Sequence, residues 1–227
     1  TGFTDAAKEQ SSFIIPTEID GIKVTSVARE SFRDCANIKE ISIAEGVETI
    51  GENAFLGCYN LETINFPSTI ESVGTNVVKN TIWEKNEYEQ YGAVIINNIL
   101  SSVQNVPSEY KLPDGIRKIA SGVFYGNTQL TKIDMGSSLQ EIGTYAFAGC
   151  TGITELSIPS SVKNIGYGAF SQCTNLTVSV PDTVGQVGQE AFYKVKFVEY
   201  KGKLGGAYWG AAAGGTEKQW QRHQLEK

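Results

Sequence analysis

Four cysteines are the residues whose type and spacing most readily suggest chemistry: Cys35, Cys58, Cys150 and Cys173. Each stands three residues after a phenylalanine, and the steps 35–58 and 150–173 both span 23 residues. No C-x-x-C pair and no Cys/His cluster accompanies them, so their spacing does not predict a metal site. We interpret them as buried thiols that pack as small apolar residues.

Two disulfides, Cys35–Cys58 and Cys150–Cys173, are the alternative. If residues one period apart stack on neighbouring strands, their Cα atoms lie ~4.8 Å apart, which a disulfide tolerates. Equivalent side chains on neighbouring strands run parallel, however, and seldom offer the dihedral angle that the bond requires. We therefore favour free thiols.

The other candidate groups form no catalytic or cofactor-binding pattern. His223 is the only histidine and lies in the polar tail EKQWQRHQLEK, so a Ser-His-Asp or Cys-His arrangement has no support. Glu40, Glu62 and Glu155 recur at nearby repeat positions, which is typical of a solvated face. The stretch GKLGGAYWGAAAGG lacks the phosphate-binding glycine motifs. We predict no catalytic residue, no metal, no cofactor and no enzymatic activity; an enzyme is the weakest of our three functional hypotheses.

The net charge disfavours some classes of partner. The 227 residues carry a formal charge of −6 with a pI near 5.0 and no basic run, whereas nucleic acids and anionic membranes select a basic face. No apolar stretch is as long as the roughly 18 residues of a membrane-spanning helix. The sequence opens at Thr1 without a methionine, so we expect a processed or trimmed end, and the lack of a visible export signal does not count against secretion.

A period of 23 residues organises most of the chain. Its clearest marker is a recurring phenylalanine, preceded by alanine in most copies: Phe32, Phe55, Phe124, Phe147, Phe170 and Phe192. An aliphatic residue stands five positions earlier, a glycine follows it in most copies, and five of the six prolines fall on one repeat position. This pattern predicts a solenoid, in which each coil buries its apolar edge against its neighbours.

One coil is predicted to comprise a strand, a turn, a short helical turn and a return. Apolar and polar residues alternate toward the end of Leu61–Pro67, and the proline closes the strand. The glycine that follows Ile50, Ile142 and Ile165 indicates a backbone turn that disfavours a side chain. The segment that ends in phenylalanine is too short for a full helix and suits a single helical or 3-10 turn.

The fuller string I-P-x-x-V-x-x-I-G-x-x-A-F-x-x-C-x-x-L-x-x-I resembles the BspA-like branch of the leucine-rich repeats, which occurs in bacterial and some protist surface proteins. Its best copy is IPSSVKNIGYGAFSQCTNLTVSVP, and the resemblance covers roughly Phe13–Val198. It implies an α/β repeat solenoid: a right-handed, curved leucine-rich repeat with short parallel strands on the concave face and short helical or 3-10 turns on the convex side. Thr, Ser or Gly replaces the usual asparagine, so we expect no asparagine ladder.

The outward face of the strands is the predicted binding surface. Its positions are Lys39, Glu40, Ser42, Glu62, Thr63, Asn65, Thr131, Lys132, Asp134, Thr154, Glu155, Ser157, Thr177 and Ser179. Such a row can form a continuous platform for a macromolecule. We assign partner binding, as a hypothesis, to Thr63, Thr131, Lys132, Thr154 and Glu155. The alternative is that each is merely a solvated strand-surface residue.

Residues 79–110 break the repeat and are predicted to form an irregular insert. Within it, AVIINNILSSV predicts two strands joined by a tight turn at Asn97-Asn98. Trp83, Tyr88 and Tyr91 are further partner-binding candidates, because such residues are frequent in interaction hot spots. BspA-like proteins often carry an inserted hairpin between repeat blocks, and an apolar run needs a core to lie on. We therefore favour a structural joint over a binding site.

We predict that residues 1–201 form one solenoid of about eight coils of ~23 residues, and that residues 202–227 form a C-terminal cap or tether. The resemblance implies a non-enzymatic, adhesion-type module of a secreted or cell-surface bacterial protein. Its partner would be a protein or a glycan, with extracellular matrix as one source. We expect no nucleic-acid partner and no membrane insertion. The alternative function is a passive structural spacer in a larger surface protein.

Overall fold

A computed structural model of the protein describes residues 10–200, 202, 208–211 and 214–215. The chain divides into two compact units, unit 1 (Thr1–Gln104) and unit 2 (Asn105–Lys227). Each unit is a β-solenoid of stacked coils with parallel strands and few helices, and the two hold about eight coils in all. Among the helices of the described residues, none has the length and apolar character needed to cross a bilayer.

Unit 1 begins with eight short strands: β1 (Ser12–Ile15), β2 (Glu18–Ile19), β3 (Ile22–Lys23), β4 (Ser26–Val27), β5 (Glu40–Ile43), β6 (Thr49–Ile50), β7 (Thr63–Asn65) and β8 (Ser72–Val73). β1, β5 and β7 form one parallel column, β4, β6 and β8 form a second, and β2 pairs with β3 as a hairpin. Ile41 lies opposite Ile64, and Ile50 lies opposite Val73. The 23-residue period is therefore the length of one coil.

The insert contains a helix and a hairpin. Helix α1 (Ile82–Tyr91) is followed by β9 (Ala93–Ile96) and β10 (Ile99–Val103), which pair antiparallel. Asn97 and Asn98 both have left-handed φ values, of 47° and 60°, as a two-residue hairpin turn requires. The predicted hairpin is confirmed, whereas the prediction of an irregular insert missed α1.

Unit 2 contains the remaining elements: β11 (Glu109–Lys111), β12 (Lys118–Ile119), β13 (Lys132–Asp134), β14 (Glu141–Ile142), β15 (Glu155–Ser157), β16 (Asn164–Ile165), β17 (Thr177–Val180), β18 (Gln186–Val187), β19 (Phe197–Tyr200), a 3-10 helix (Tyr208–Gly210) and β20 (Gly214–Gly215). β12, β14, β16 and β18 form one parallel column. β11 pairs with β13, and β15, β17, β19 and β20 pair in that order.

Stacked phenylalanines form the centre of the core in unit 2. The rings of Phe124, Phe147, Phe170 and Phe192 are fully buried and follow one another at centroid distances of 4.9, 5.2 and 5.5 Å, within 7° of parallel. In unit 1 the rings of Phe32 and Phe55 are also buried and lie 5.3 Å apart, but tilted by 44°. The inward placement that the repeat predicts for these six residues is confirmed.

The segment around each repeat phenylalanine is a hydrogen-bonded turn. Two positions in it carry left-handed φ values, two residues before the phenylalanine and two residues after it. In the turn of Phe147 these residues are Tyr145 (φ 53°) and Gly149 (φ 74°). In the turn of Phe55, Asn53 (φ 56°) is the residue two positions before the phenylalanine. Left-handed residues interrupt a right-handed helix, so the predicted helical or 3-10 turn is not confirmed.

The recurring glycine exists because neighbouring coils approach closely. A Cβ atom on Gly143 would lie 2.7 Å from the carbonyl carbon of Ala120, and one on Gly166 would lie 2.6 Å from the amide nitrogen of Thr144. Both clashes are with the backbone of the preceding coil, and neither glycine has a positive φ. The glycine recurs because the backbones of two coils pack closely at this position, and not because of a turn that disfavours a side chain, as the sequence predicted.

Candidate binding surface

The residues considered for catalysis do not form a reactive centre in the described part of the chain. No group of three or more His, Cys, Asp and Glu side chains among the described residues could hold a metal ion. Glu40, Glu62 and Glu155 are exposed. His223 lies outside the described residues, as does half of the glycine-rich stretch 202–215. What the structure presents instead is a set of surfaces built from repeated positions.

The cysteines help to hold neighbouring coils together. Each of the three buried cysteines directs its Sγ at the carbonyl oxygen of the phenylalanine one coil earlier: Cys58 at Phe32 (2.9 Å), Cys150 at Phe124 (3.0 Å) and Cys173 at Phe147 (3.0 Å). These distances suit thiol donors, and none of the four cysteines is in a disulfide. Sequence spacing indicated the stacking but not this contact.

Burial sets the acidity of these thiols. It raises the pKa of Cys58 and of Cys173 to about 12, and that of Cys150 to about 11. A thiol must lose its proton to act as a nucleophile or a metal ligand. At neutral pH these cysteines therefore act as structural hydrogen-bond donors.

The candidate strand-face residues of unit 2 are exposed. Lys132 opens β13 and Glu155 opens β15, and Thr131 and Thr154 each stand one residue before these strands. The ammonium group of Lys132 lies 3.6 Å from the carboxylate of Glu109 on β11, and both side chains are 71% exposed. An ion pair this exposed contributes little to stability. The charges on this face are therefore available to a partner.

Thr63 lies in unit 1. It opens β7 opposite Glu40 of β5 and is exposed. Two residues further along these strands, Nδ2 of Asn65 donates a hydrogen bond to Oγ of Ser42 at 3.0 Å. The five candidate residues are thus divided between the units, with one in unit 1 and four in unit 2.

The aromatic side chains of the insert are mostly engaged in packing. The ring of Trp83 lies edge-on to Phe66, with centroids 5.6 Å apart. The hydroxyl of Tyr88 donates to Oγ of Ser102 at 2.8 Å, and burial raises the pKa of Tyr88 to about 12. Of the three aromatic candidates in the insert, Tyr91 is the exposed one, at 60%.

The hairpin of the insert is attached to the preceding coil of unit 1. Nδ2 of Asn97, in its turn, donates to the backbone oxygens of Ser68 and Ile70 at 2.8 and 2.6 Å. β9 and β10 also bury most of their apolar side chains. These contacts give the hairpin a packing role within unit 1.

Four exposed tyrosines in the turns of unit 2 were missed by the sequence analysis. Tyr125, Tyr145, Tyr167 and Tyr193 belong to four successive coils and are between 37% and 69% exposed. The ring of Tyr145 lies edge-to-face with Tyr125 at 6.5 Å and with Tyr167 at 5.2 Å. We call these four residues the tyrosine ladder. Alignment of the coils on the repeat phenylalanine could have found it, since each tyrosine lies within three residues of one.

A cavity of about 560 Å³ lies where β11 and β13 end, lined by residues 111–116 and 134–138. Its coil has Gly136 at the position where most other coils have proline. The carboxylate of Asp134 accepts a hydrogen bond from the amide of Gly136 at 2.9 Å, and Lys111 lies 3.7 Å from Asp114. Its charged groups thus have partners within the wall, and they do not converge on a ligand.

The sequence matches the model of the BspA type leucine rich repeat region (6 copies) over residues 25–152 and 101–202. It is also similar to solved structures. These include the leucine rich repeat protein TpLRR of T. pallidum (20% identity over 96% of this chain and 83% of that chain, TM-score 0.31). A leucine rich cell surface protein of Faecalibacterium prausnitzii A2-165 is 16% identical over 86% of this chain and 89% of that chain, with a TM-score of 0.40. The pneumococcal vaccine antigen PcpA is 18% identical over 88% of this chain and 80% of that chain, with a TM-score of 0.36. Among curated proteins, none matches.

The matched residues cover most of the chain, and the structure repeats the coil that the pattern predicts. The chain belongs to the BspA-type leucine-rich repeat family. The predicted resemblance is thereby confirmed.

Proposed function

We propose that this chain is a non-enzymatic module that binds a macromolecule, in the manner of an adhesion protein, as part of a secreted or cell-surface bacterial protein. The observation that carries the proposal is the exposed polar row on β13 and β15, formed by Thr131, Lys132, Thr154 and Glu155. Stacked coils present such positions side by side, so one extended partner can contact several coils at once. The predicted right-handed curvature, with these strands on the concave side, is part of the proposal.

The partner is proposed to be a protein or a glycan, with extracellular matrix as one source. The net charge of −6 favours such a partner over nucleic acid or an anionic membrane. Lys132 and Glu155 place both signs of charge on the row, which suits a partner with a mixed polar surface. In unit 1, Thr63 on β7 is the strand-face candidate, and Tyr91 is the next candidate in the insert.

The test is a binding screen against immobilised matrix proteins and a panel of glycans. Lys132→Glu with Glu155→Lys should weaken any specific binding at least about tenfold, as loss of an interface anchor does. The free energy of unfolding should change by no more than about 0.5 kcal/mol, because both residues are exposed.

The matched control combines Lys163→Glu with Asp182→Lys, which also reverses one charge of each sign at exposed positions of unit 2. Lys118 is unsuitable as a control, because its ammonium lies 2.8 Å from Glu141 and its side chain is only 15% exposed. If the control abolishes binding and the strand-face pair does not, the proposed surface is wrong. If no macromolecule binds, a passive structural spacer accounts for the chain better.

A further inference from the structure

The tyrosine ladder is a second surface of unit 2, separate from the strand face. The turn segments 120–127, 143–149 and 166–172 that carry its first three rings contain no charged residue. The fourth turn segment, 188–194, carries Glu190 and Lys194. Exposed tyrosines grouped on an otherwise uncharged surface are typical of recognition sites, because each ring offers a large contact area with few rotatable bonds.

The central rings of the ladder are held in place by their neighbours. Tyr145 occupies a left-handed position, with φ 53°, which is uncommon for a bulky side chain. Its ring lies over Gly168, where a Cβ atom would be 2.6 Å from Cδ1 of the tyrosine. Gly168 therefore leaves the space that the Tyr145 ring fills. A ring fixed in this way loses little further freedom when a ligand binds.

Tyr167 is fixed through its hydroxyl group, which donates a hydrogen bond to Oε2 of Glu190 at 2.9 Å. Its hydrogen bonds with Tyr145 and with Glu190 raise the pKa of Tyr167. The ring of Tyr193 already has the ammonium group of Lys194 5.2 Å from its centre. The part of the ladder open to a ligand is therefore Tyr125, Tyr145 and Tyr167, with Glu190 as the anion at one end.

The spacing of the coils identifies a class of ligand. Successive coils in this part of unit 2 are 4.9 and 5.2 Å apart, measured between the centroids of their stacked phenylalanine rings. A polyproline II helix rises about 9.3 Å in each three-residue turn. One turn of such a helix therefore matches two coils in length. The ring of Tyr145 lies between those of Tyr125 and Tyr167, with centroids 6.5 Å from the first and 5.2 Å from the second, so prolines three residues apart can reach both outer rings.

We propose that the tyrosine ladder binds a proline-rich segment in the polyproline II conformation, which runs along the stack of coils with a basic residue beside Glu190. Aromatic-lined surfaces recognise this conformation through its preformed shape and its apolar proline rings. The uncharged turns suit the prolines, and the carboxylate of Glu190 suits a flanking arginine or lysine. This surface does not depend on the strand face proposed above.

The probe is a synthetic peptide of Pro-x-x-Pro repeats with arginine at one end, titrated into the full chain and followed by calorimetry and by NMR. Its control has the same composition in an order that removes the three-residue spacing. We expect binding of the first peptide only. Tyr125→Ala and Tyr167→Ala should each weaken it at least about tenfold, a typical effect for a binding hot spot. Glu190→Gln should weaken it less, and only at low salt.

Tyr59→Ala is the matched control variant, because Tyr59 is an exposed tyrosine (58%) in a turn of unit 1; it should leave peptide binding unchanged. The strand-face pair Lys132→Glu with Glu155→Lys should also leave it unchanged, so the two surfaces can fail separately. Equal binding of the control peptide, equal loss with Tyr59→Ala, or binding of a neutral oligosaccharide by the ladder in place of the peptide would each overturn the proposal. Self-association that the ladder variants abolish would overturn it too, in favour of a second copy of the chain.

Discussion

The turns beside the repeat phenylalanines carry arginines and carboxylates in unit 1, whereas four of the turns in unit 2 carry tyrosines. In unit 1, Arg33 lies 3.2 Å from Glu30, and Arg29 lies 3.5 Å from Glu52 of the next coil. In unit 2, the corresponding side chains are the rings of the tyrosine ladder. The backbone is the same in both, down to the left-handed residue two positions before each phenylalanine.

This difference separates two kinds of constraint on the sequence. The inward phenylalanine, the glycine at the coil contact and the buried cysteine meet the backbone or side chains of the neighbouring coil in both units. The outward residues of the turn meet solvent and one another. One repeat can therefore carry a charged surface in one unit and an aromatic surface in the other, and so serve different partners.

The largest effect should come from a repeat phenylalanine, and it should be similar in the two units. Phe147→Ala and Phe55→Ala should each lower the free energy of unfolding by about 3–5 kcal/mol, because each removes a fully buried ring between coils. Urea unfolding measures the loss. A change below about 1 kcal/mol in either unit would show that its core is not built on this ring.

Substitution of the glycine at the coil contact should have the second-largest effect on the free energy of unfolding. Gly143→Ala in unit 2 and Gly74→Ala in unit 1 place a Cβ against the backbone of the preceding coil, and overpacking of this kind costs about 1–3 kcal/mol or more. The control is Gly185→Ala, where the nearest atom lies 4.0 Å away and φ is not positive. Calorimetric melting of all three variants tests the account, which fails if Gly185→Ala is as damaging as the other two.

The buried thiols should make both units sensitive to alkaline pH. Burial raises the pKa of Cys58 to about 12 from its ordinary value of 9.0, and that of Cys150 to about 11. Above pH 9.0 the thiols of the unfolded chain lose protons that the buried thiols of the folded chain keep. The contribution of these thiols to the free energy of unfolding is therefore complete below pH 9.0 and is lost as the pH rises toward the folded-state pKa values. One thiol contributes at most about 1.4 kcal/mol per pH unit.

Urea unfolding between pH 8 and 11 measures this slope. Cys58→Ser and Cys150→Ser should each reduce it, because serine does not titrate in this range and can still donate a hydrogen bond to the phenylalanine carbonyl. Equal slopes in the parent and in both variants would contradict the assignment of these thiols.

The smallest effect should distinguish the two turn surfaces. A hydrogen bond from Asn53, together with the charges of Arg33 and Arg29, lowers the pKa of Glu30. Its contribution to stability is therefore present above the ordinary pKa of a carboxyl group and is lost as the pH falls through the lowered value. Glu30→Gln should lower the melting temperature slightly at neutral pH and not at all in 1 M salt, since salt screens exposed charges. Tyr125→Ala in unit 2 should show no such salt dependence.

The sequence was sufficient to predict the length of the coil and the residues that point into its core. The phenylalanine, aliphatic and proline columns predicted the coil and the number of coils, because burial restricts these positions in every copy. Asn97-Asn98 between two apolar runs predicted the hairpin through the turn that two left-handed residues form.

Features that lack the period were harder to predict. Helix α1 has no buried residue and no apolar stripe, although the cap formed by Thr81 and Glu84 and the glycine at residue 92 were visible in the sequence. The tyrosine ladder was missed because its residues hold different positions in their turns, from three before the phenylalanine at Tyr167 to one after it at Tyr125. Only the stacking of coils brings these side chains into contact.

The central claim is that inward residues specify the coil and outward turn residues do not. The most direct test is to measure the free energy of unfolding of the double variant Tyr145→Asn with Tyr167→Arg. Unit 1 carries asparagine (Asn53) at the repeat position of Tyr145 and arginine (Arg29) at the repeat position of Tyr167. Asparagine tolerates the left-handed φ of residue 145, and arginine can pair with Glu190. We predict a change within about 1 kcal/mol in urea. A loss as large as that of Phe147→Ala would contradict the account.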